Sequence, residues 1–132
     1  MSEVIRKVAW LHISERKLLC VRTAGRSLFY VPGGKPDPGE EDIEALMREV
    51  AEELGIGLIS STIREAGRFS APADGSADTM VVIDAYSSRY LGILATGFEI
   101  AELRFLASAD EELASAATRI ILQHLKARDV ID

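Results

Sequence analysis

Three glutamates, Glu49, Glu52 and Glu53, stand close together on a segment with helical spacing. At about 100° per residue, Glu49 lies one turn before Glu53 and Glu52 lies beside it, so the three carboxylates share one flank. Like charges at this spacing destabilise a helix by a few tenths of a kcal/mol per pair, and the negative end of the helix dipole adds to that. A divalent cation would offset the repulsion, and carboxylate oxygens suit Mg²⁺ or Mn²⁺.

The loop before this segment, PGGKPDPGE, offers further oxygen atoms. Gly33 and Gly34 permit backbone conformations closed to other residues, so their carbonyl groups can face a ligand. A Glu-rich helix by itself is more often a solvated acidic face. Following such a loop, the carboxylates instead predict an all-oxygen metal site, and no cluster of Cys and His residues competes for zinc.

Hydrophobic spacing predicts the elements that must position these groups. The i, i+3, i+4, i+7 pattern of an amphipathic helix is followed by Ile43, Leu46, Met47, Val50 and Leu54, and Gly55 is a suitable end. Strands are predicted at residues 4–13, 17–23, 28–32, 62–71, 78–90 and 102–107, and a second helix at 113–127. Strands on both sides of a central helix, with a helix at the end, predict one α/β domain over residues 1–132 with a mixed sheet covered on both faces.

Composition excludes several classes of function. The net charge of −6 argues against binding a nucleic-acid polymer, and no apolar run approaches the ~20 residues of a membrane span. The first ten residues lack the pattern of a secretory signal, and the single cysteine, Cys20, cannot form an internal disulfide. We therefore expect a cytoplasmic protein with no membrane partner.

The acidic segment and its loop resemble the signature of the Nudix hydrolase family, G-x5-E-x7-R-E-U-x-E-E-x-G-U, in which U is a bulky aliphatic residue. Every fixed position is filled, by Gly34, Glu40, Arg48, Glu49, Val50, Glu52, Glu53, Gly55 and Ile56. Nine fixed positions at set intervals rarely coincide by chance, so the signal is specific. The resemblance implies the family's α/β/α sandwich and a MutT-like chain.

The resemblance also implies a reaction, the Mg²⁺- or Mn²⁺-dependent hydrolysis of a pyrophosphate linkage in a nucleoside diphosphate joined to a group X. Glu49, Glu52 and Glu53 would bind the metal, helped by the carbonyl of Gly33 or Gly34. Glu53 is the first choice for the general base.

Other roles follow from the same resemblance. Arg48 would orient neighbouring carboxylates, Glu52 among them. Glu40 would either brace the loop against the helix or join the metal shell through water. An acid from outside the signature, Glu99 or Glu102, would assist catalysis, with a plain surface role as the equal alternative.

Substrate binding is open at several positions. Lys35 lies where a cation would contact a phosphate. Arg22 and Arg26 either reach phosphates or are solvated, and Tyr30 either lines the pocket or does not. Specificity is expected in the loops 22–27 and 72–78 and near the last helix.

The expected partner is a small-molecule nucleotide, most simply a nucleoside triphosphate or an oxidised nucleotide. ADP-ribose or another nucleotide sugar is the alternative substrate, and a non-catalytic Nudix-like nucleotide sensor is the alternative class. A homodimer is an open option for assembly.

Overall fold

Three β-sheets and two α-helices form the architecture in the computed structural model, which describes residues 2–132 and leaves residue 1 of the expected domain outside. The strands are β1 (Glu3–Trp10), β2 (Ile13–Ser14), β3 (Lys17–Thr23), β4 (Gly33–Gly34), β5 (Gly57–Leu58), β6 (Arg64–Ala73), β7 (Ser76–Ser87), β8 (Tyr90–Leu91) and β9 (Ile100–Leu106). The helices are α1 (Asp42–Leu54) and α2 (Ala116–Ala127), and two 3₁₀ helices span Ser60–Thr62 and Ser108–Leu113.

The largest sheet is mixed, as predicted. Its strand order is β4-β1-β7-β6, with β1 parallel to β7 and the other two pairs antiparallel. A second, antiparallel sheet has the order β2-β3-β9, and β5 pairs with β8. Strand β4 therefore lies at an edge of the mixed sheet, directly before the loop that leads into α1.

Strand β1 separates two hydrophobic cores. Val8 and Trp10 are buried in the core that α1 covers, whereas Ala9 and Leu11 are buried in the core that α2 covers. Successive side chains of a strand point to opposite faces, so this alternation shows that a helix covers each face of the sheet. The predicted α/β/α sandwich is confirmed.

Helix α1 has the apolar stripe and the end that its sequence predicts. The side chains of Leu46, Val50 and Leu54 are fully buried, which confirms the apolar stripe. At the start, the Glu44 carboxylate accepts a hydrogen bond from the Glu41 N–H at 3.1 Å. At the end, Gly55 has the left-handed conformation with φ of 69°, which residues with a Cβ rarely adopt.

The prediction of a strand at residues 28–32 is wrong. Only isolated bridges form there, between Val21 and Tyr30 and between Phe29 and Ala114, and the ladder with β1 begins at Gly33. The apolar run reflects buried side chains, and Pro32 has no N–H to donate to a ladder.

The other elements differ from prediction only in their bounds. The first strand ends at Trp10, not at residue 13. Strands β6 and β7 extend further toward each other than predicted and are joined by a turn of residues 74–75. Helix α2 begins three residues later than predicted, because Ser115 caps it by accepting from the Thr118 N–H. No helix within residues 2–132 is long and apolar enough to cross a bilayer.

Replacing Gly55 with alanine should destabilise the fold by about 1 kcal/mol, because alanine is strained in the left-handed conformation. Gly57 is the matched control: it lies two residues away, lacks the positive φ, and has open space where a Cβ would be. Urea denaturation should show a lower free energy of unfolding for Gly55→Ala and a change within about 0.5 kcal/mol for Gly57→Ala. Equal losses in the two variants would contradict the conformational explanation.

Candidate active site

Arg48 is the centre of the ion-pair network on α1. Its guanidinium makes a bidentate pair with Glu40, with Nε and Nη2 each 2.9 Å from a carboxylate oxygen. Nη1 donates to Glu49 at 2.9 Å and lies 3.5 Å from Glu52. Arg48 therefore contacts both neighbouring acids, with Glu49 nearer than the expected Glu52.

Glu40 joins the loop to the helix. One of its oxygens accepts from the Asp37 N–H at 2.9 Å while both pair with Arg48. The Arg48 contact, followed by the Asp37 hydrogen bond, lowers the pKa of the Glu40 carboxyl to about 2. The brace expected at this position is present in the structure.

Glu53 is held against the sheet edge. Its Oε1 accepts from the Gly33 N–H at 2.8 Å, and its Oε2 accepts from the Tyr30 hydroxyl at 3.4 Å. The Tyr30 hydroxyl also hydrogen-bonds to the Thr23 hydroxyl. Tyr30, for which a pocket-lining role was open, therefore contacts Glu53 directly. It also lines the cavities described below.

Glycine at position 34 leaves room for a carboxylate. A Cβ there would fall 2.5 Å from the Glu49 carboxyl carbon, so any larger residue would displace that side chain. At Gly33 a Cβ would fall 2.0 Å from the carbonyl oxygen of Val8. The two glycines thus allow β4 to pack closely against both β1 and α1.

Without a cation, burial disfavours the charged forms of Glu49 and Glu53. Burial, and to a lesser degree the charge of Glu49, raise the pKa of the Glu53 carboxyl to about 8 despite its hydrogen bond from Gly33. Burial also raises the pKa of Glu49. These oxygen-only donors, partly buried and short of positive charge, fit a hard divalent cation.

The three glutamates do not converge on one point in this conformation. No group of three or more acidic, Cys or His residues within residues 2–132 is arranged to hold a metal. Glu49 pairs with Arg48, Glu53 pairs with the Gly33 N–H, and the side chain of Glu52 is 53% exposed. Metal binding would require these side chains to change rotamer.

Two cavities meet beside these acids. The smaller, which we call the carboxylate cavity, has a volume of about 410 Å³ and is lined by Thr23, Tyr30, Glu49, Glu52, Glu53, Phe98, Glu99 and Ile100. The larger, of about 510 Å³, shares Thr23 and Tyr30 with it and reaches across Gly33 and Gly34 toward the start of α2. Its lining includes parts of the loops 22–27 and 72–78, where specificity was expected.

Three of the expected site residues, Arg22, Lys35 and Glu102, line neither cavity. Glu102 faces Arg22 across the β3–β9 ladder and pairs with it at 3.3 Å, and neither lines the two cavities. Arg22 also donates to the Arg26 carbonyl at 3.0 Å, so its donors are engaged. Lys35 is exposed, and its carbonyl accepts from Arg48 at 3.4 Å.

Lys7 lines the larger cavity and was not among the residues predicted from the sequence. The sequence does contain an indication of this. In the strand EVIRKVAW, Lys7 lies on the same face as Ala9, and that face is otherwise typical of a hydrophobic core. Of the two external acids considered, Glu99 lines the carboxylate cavity and Glu102 does not.

The profile of the NUDIX domain matches residues 5–124. The chain belongs to the Nudix family. The match covers most of the chain, so the family predicted from the signature is confirmed.

Individual Nudix proteins resemble this chain at modest identity. Nucleoside triphosphatase NudI of Salmonella paratyphi B is 39% identical over an alignment of 75 residues, and the match covers 50% of this chain and 53% of that protein. The chain thus spans about half the length of the curated relatives it matches. A MutT Nudix hydrolase from Burkholderia pseudomallei has 22% identity and a TM-score of 0.75 over 92% of this chain and 98% of its own. A MutT protein from Methanosarcina mazei Go1 has 21% identity and a TM-score of 0.76 over 97% and 96%. These two structures share the fold.

Without metal, the Nudix chain should lose stability as the pH rises from about 4.5 to about 8. In this window folded Glu53 keeps a proton that the unfolded chain has released, so the free energy of unfolding falls with pH, by at most about 1.4 kcal/mol per unit. Burial also raises the pKa of Glu49, so urea denaturation in EDTA should show that Glu53→Gln removes part of this slope.

Glu3→Gln, on an exposed position of β1, controls for the loss of one charge and should keep the slope. A Glu53→Gln variant with the slope of the wild type would show that another group is responsible.

Proposed function

We propose that the protein is a Mg²⁺-dependent pyrophosphohydrolase acting on a nucleoside diphosphate linked to X, with a nucleoside triphosphate or an oxidised nucleotide as the first candidate. The observation that carries this proposal is the position of Glu49 and Glu53. They face Gly33 and Gly34 at the junction of two cavities, in a chain that keeps every residue of the family signature. Mn²⁺ is the alternative metal.

Glu49 and Glu52 are the side chains we assign to the metal, together with the carbonyl of Gly33 or Gly34, and Glu53 is a third ligand or the base. When bound, Mg²⁺ supplies charge neutralisation to the phosphate oxygens and makes water more acidic. Phosphoryl transfer depends mainly on such positioning and charge, with little covalent chemistry for the protein.

Glu53 is the group to which we assign the proton of the attacking water. A general base works best when its pKa is near the operating pH, and burial moves the pKa of Glu53 in that direction. Hydrogen bonds from Gly33 and Tyr30 fix the orientation of its carboxylate. Arg48 is held by its ion pair with Glu40 and donates a hydrogen bond to Glu49, so it fixes the position of the Glu49 carboxylate.

The similarity to a nucleoside triphosphatase supports triphosphates as the substrate class. A cavity of about 510 Å³ is in the range for a small organic ligand and lies next to the acids. ADP-ribose and nucleotide sugars belong in the same assay panel, and a sensor would bind without turnover. The cytoplasmic location and a homodimer stay predictions.

Purified protein should release phosphate or pyrophosphate from a panel of nucleotides only when Mg²⁺ or Mn²⁺ is present. Glu53→Gln should keep the fold, as judged by circular dichroism, and lose roughly 10²- to 10⁴-fold in kcat, because it removes the base. Near-normal turnover by the folded variant would refute this role for Glu53.

The variants Glu99→Gln and Glu102→Gln distinguish the catalytic contributions of the two acids that lie outside the signature. Glu99 lines the carboxylate cavity, so its loss should lower kcat by roughly tenfold or more, as for a group that contacts the metal or water. Glu102 pairs with Arg22, so Glu102→Gln should leave kcat within about threefold and change stability by less than about 1 kcal/mol. The reverse order of effects on steady-state kinetics would restore Glu102 as the catalytic acid.

A further inference from the structure

Lys7 is a half-buried cation with no ion-pair partner among residues 2–132. No carboxylate of the described chain lies within 4.0 Å of its ammonium, and its side chain makes no hydrogen bond to a protein group there. Burial lowers the pKa of its ammonium group, which indicates that water compensates the charge incompletely. Such a group stabilises the free protein little, so its placement calls for another explanation.

The strand register sets the direction of the Lys7 side chain. Arg6, its neighbour in the chain, pairs with Asp42 of α1 at 2.7 Å, and Val8 lies in the core beneath α1. Lys7 must therefore point to the opposite face, where it lines the larger cavity with Ile83, its partner across the parallel β1–β7 ladder.

Lys7 lies at the end of this cavity nearest the acids. The charges that act on its ammonium are those of Lys35, Glu53 and Glu49, all beside the β4 edge. Gly34 pairs with Val8, so Lys7 is one residue from the glycine segment in the ladder. A phosphate brought to the acids by a metal would come within the region that this ammonium occupies.

The far end of the cavity has a different character. Asp74 accepts from the Ala116 N–H at the start of α2, at 3.2 Å, and the wall between the two ends includes the apolar side chains of Val31, Val81 and Ile83. The lining of the cavity thus combines a cation beside the β4 edge, apolar side chains, and polar groups at the start of α2. A nucleotide has a phosphate that the cation can contact and an aromatic base that apolar side chains can contact.

We propose that Lys7 is a substrate-binding residue whose ammonium donates a hydrogen bond to an oxygen of the phosphate attached to the nucleoside. This assignment rests on the proposed function for the presence of a nucleotide, and it deepens it by naming the nucleoside 5′-phosphate as the recognised unit. The alternative for a half-buried lysine is packing, in which its aliphatic stem covers apolar surface while the ammonium reaches water.

The test compares Lys7→Met, which keeps the length of the stem, with Lys7→Arg, which keeps the charge. Lys17→Met is the matched control, because Lys17 is an exposed lysine on β3 outside both cavities. Calorimetry in Mg²⁺ buffer measures the Kd of the four common nucleoside 5′-monophosphates and of the corresponding nucleosides, which lack the phosphate.

Lys7→Met should weaken the binding of monophosphates by roughly ten- to a hundredfold, the loss expected for a hydrogen bond to a charged group, and leave nucleoside binding unchanged. Lys7→Arg should recover part of the loss, and Lys17→Met should match the wild type. For a hydrolysed nucleotide, Lys7→Met should raise KM more than it lowers kcat. Its melting temperature should equal or exceed that of the wild type.

The proposal is overturned if Lys7→Met binds monophosphates as tightly as the wild type, or loses affinity for nucleosides and monophosphates equally. Equal loss together with a lower melting temperature would indicate packing. A wild type that binds no nucleotide overturns it together with the proposed function. Binding that depends on Lys7 without hydrolysis of any nucleotide would reject the proposed function alone, and hydrolysis unaffected in Lys7→Met would reject this assignment alone.

Discussion

The bidentate pair between Arg48 and Glu40 is the contact on which the geometry of the site depends. Ion pairs at or near the surface are typically worth about 0–1 kcal/mol, and this pair is partly buried, so its contribution to stability is modest. The main effect of the pair is to fix the geometry of the loop. The planar guanidinium holds both oxygens of Glu40, and Glu40 also accepts a hydrogen bond from the Asp37 N–H. The loop that leaves Gly34 is thereby held against α1, and the remaining donor of Arg48 holds Glu49.

The same helix concentrates charge that the fold itself does not neutralise. Arg48 is the only basic residue between Asp42 and Leu54, and its donors are directed to Glu40 and Glu49. Glu53 is left with a backbone N–H and a tyrosine hydroxyl as partners, which is too little to offset its burial. Functional sites often give up local stability in this way. Here a divalent cation, bound together with a polyphosphate, would supply the missing positive charge.

Local pattern made part of this architecture predictable. The apolar stripe of α1 and the glycine that ends it repeat over a few residues, and the structure keeps both. Long-range pairing was not predictable in this way. Arg22 and Glu102 are 80 residues apart, and only the register of β3 against β9 shows that they neutralise each other. A single sequence gives no access to that register, so both residues were assigned to the site.

Two further differences concern residues 28–32 and Lys7. A strand was predicted at residues 28–32 because a short apolar run is typical both of a buried loop and of a buried strand. In the structure, Phe29 and Tyr30 form only isolated bridges, so the run is a buried loop. Lys7 was not predicted as a site residue because it lies outside the acidic signature and belongs to no spaced motif. A lysine at an inward position of an alternating strand is uncommon in a core and is itself a sign of a ligand cavity.

Strand β1 carries a constraint on how this protein can evolve. Its odd positions serve the cavity and the core beneath α2, and its even positions serve the core beneath α1. Deleting or inserting one residue would exchange the two sets, turning Lys7 toward α1 and a buried valine toward the ligand. Lineages descended from this chain can therefore change length in surface loops such as residues 24–28 more readily than in the strand that underlies both faces, which can change only by substitution.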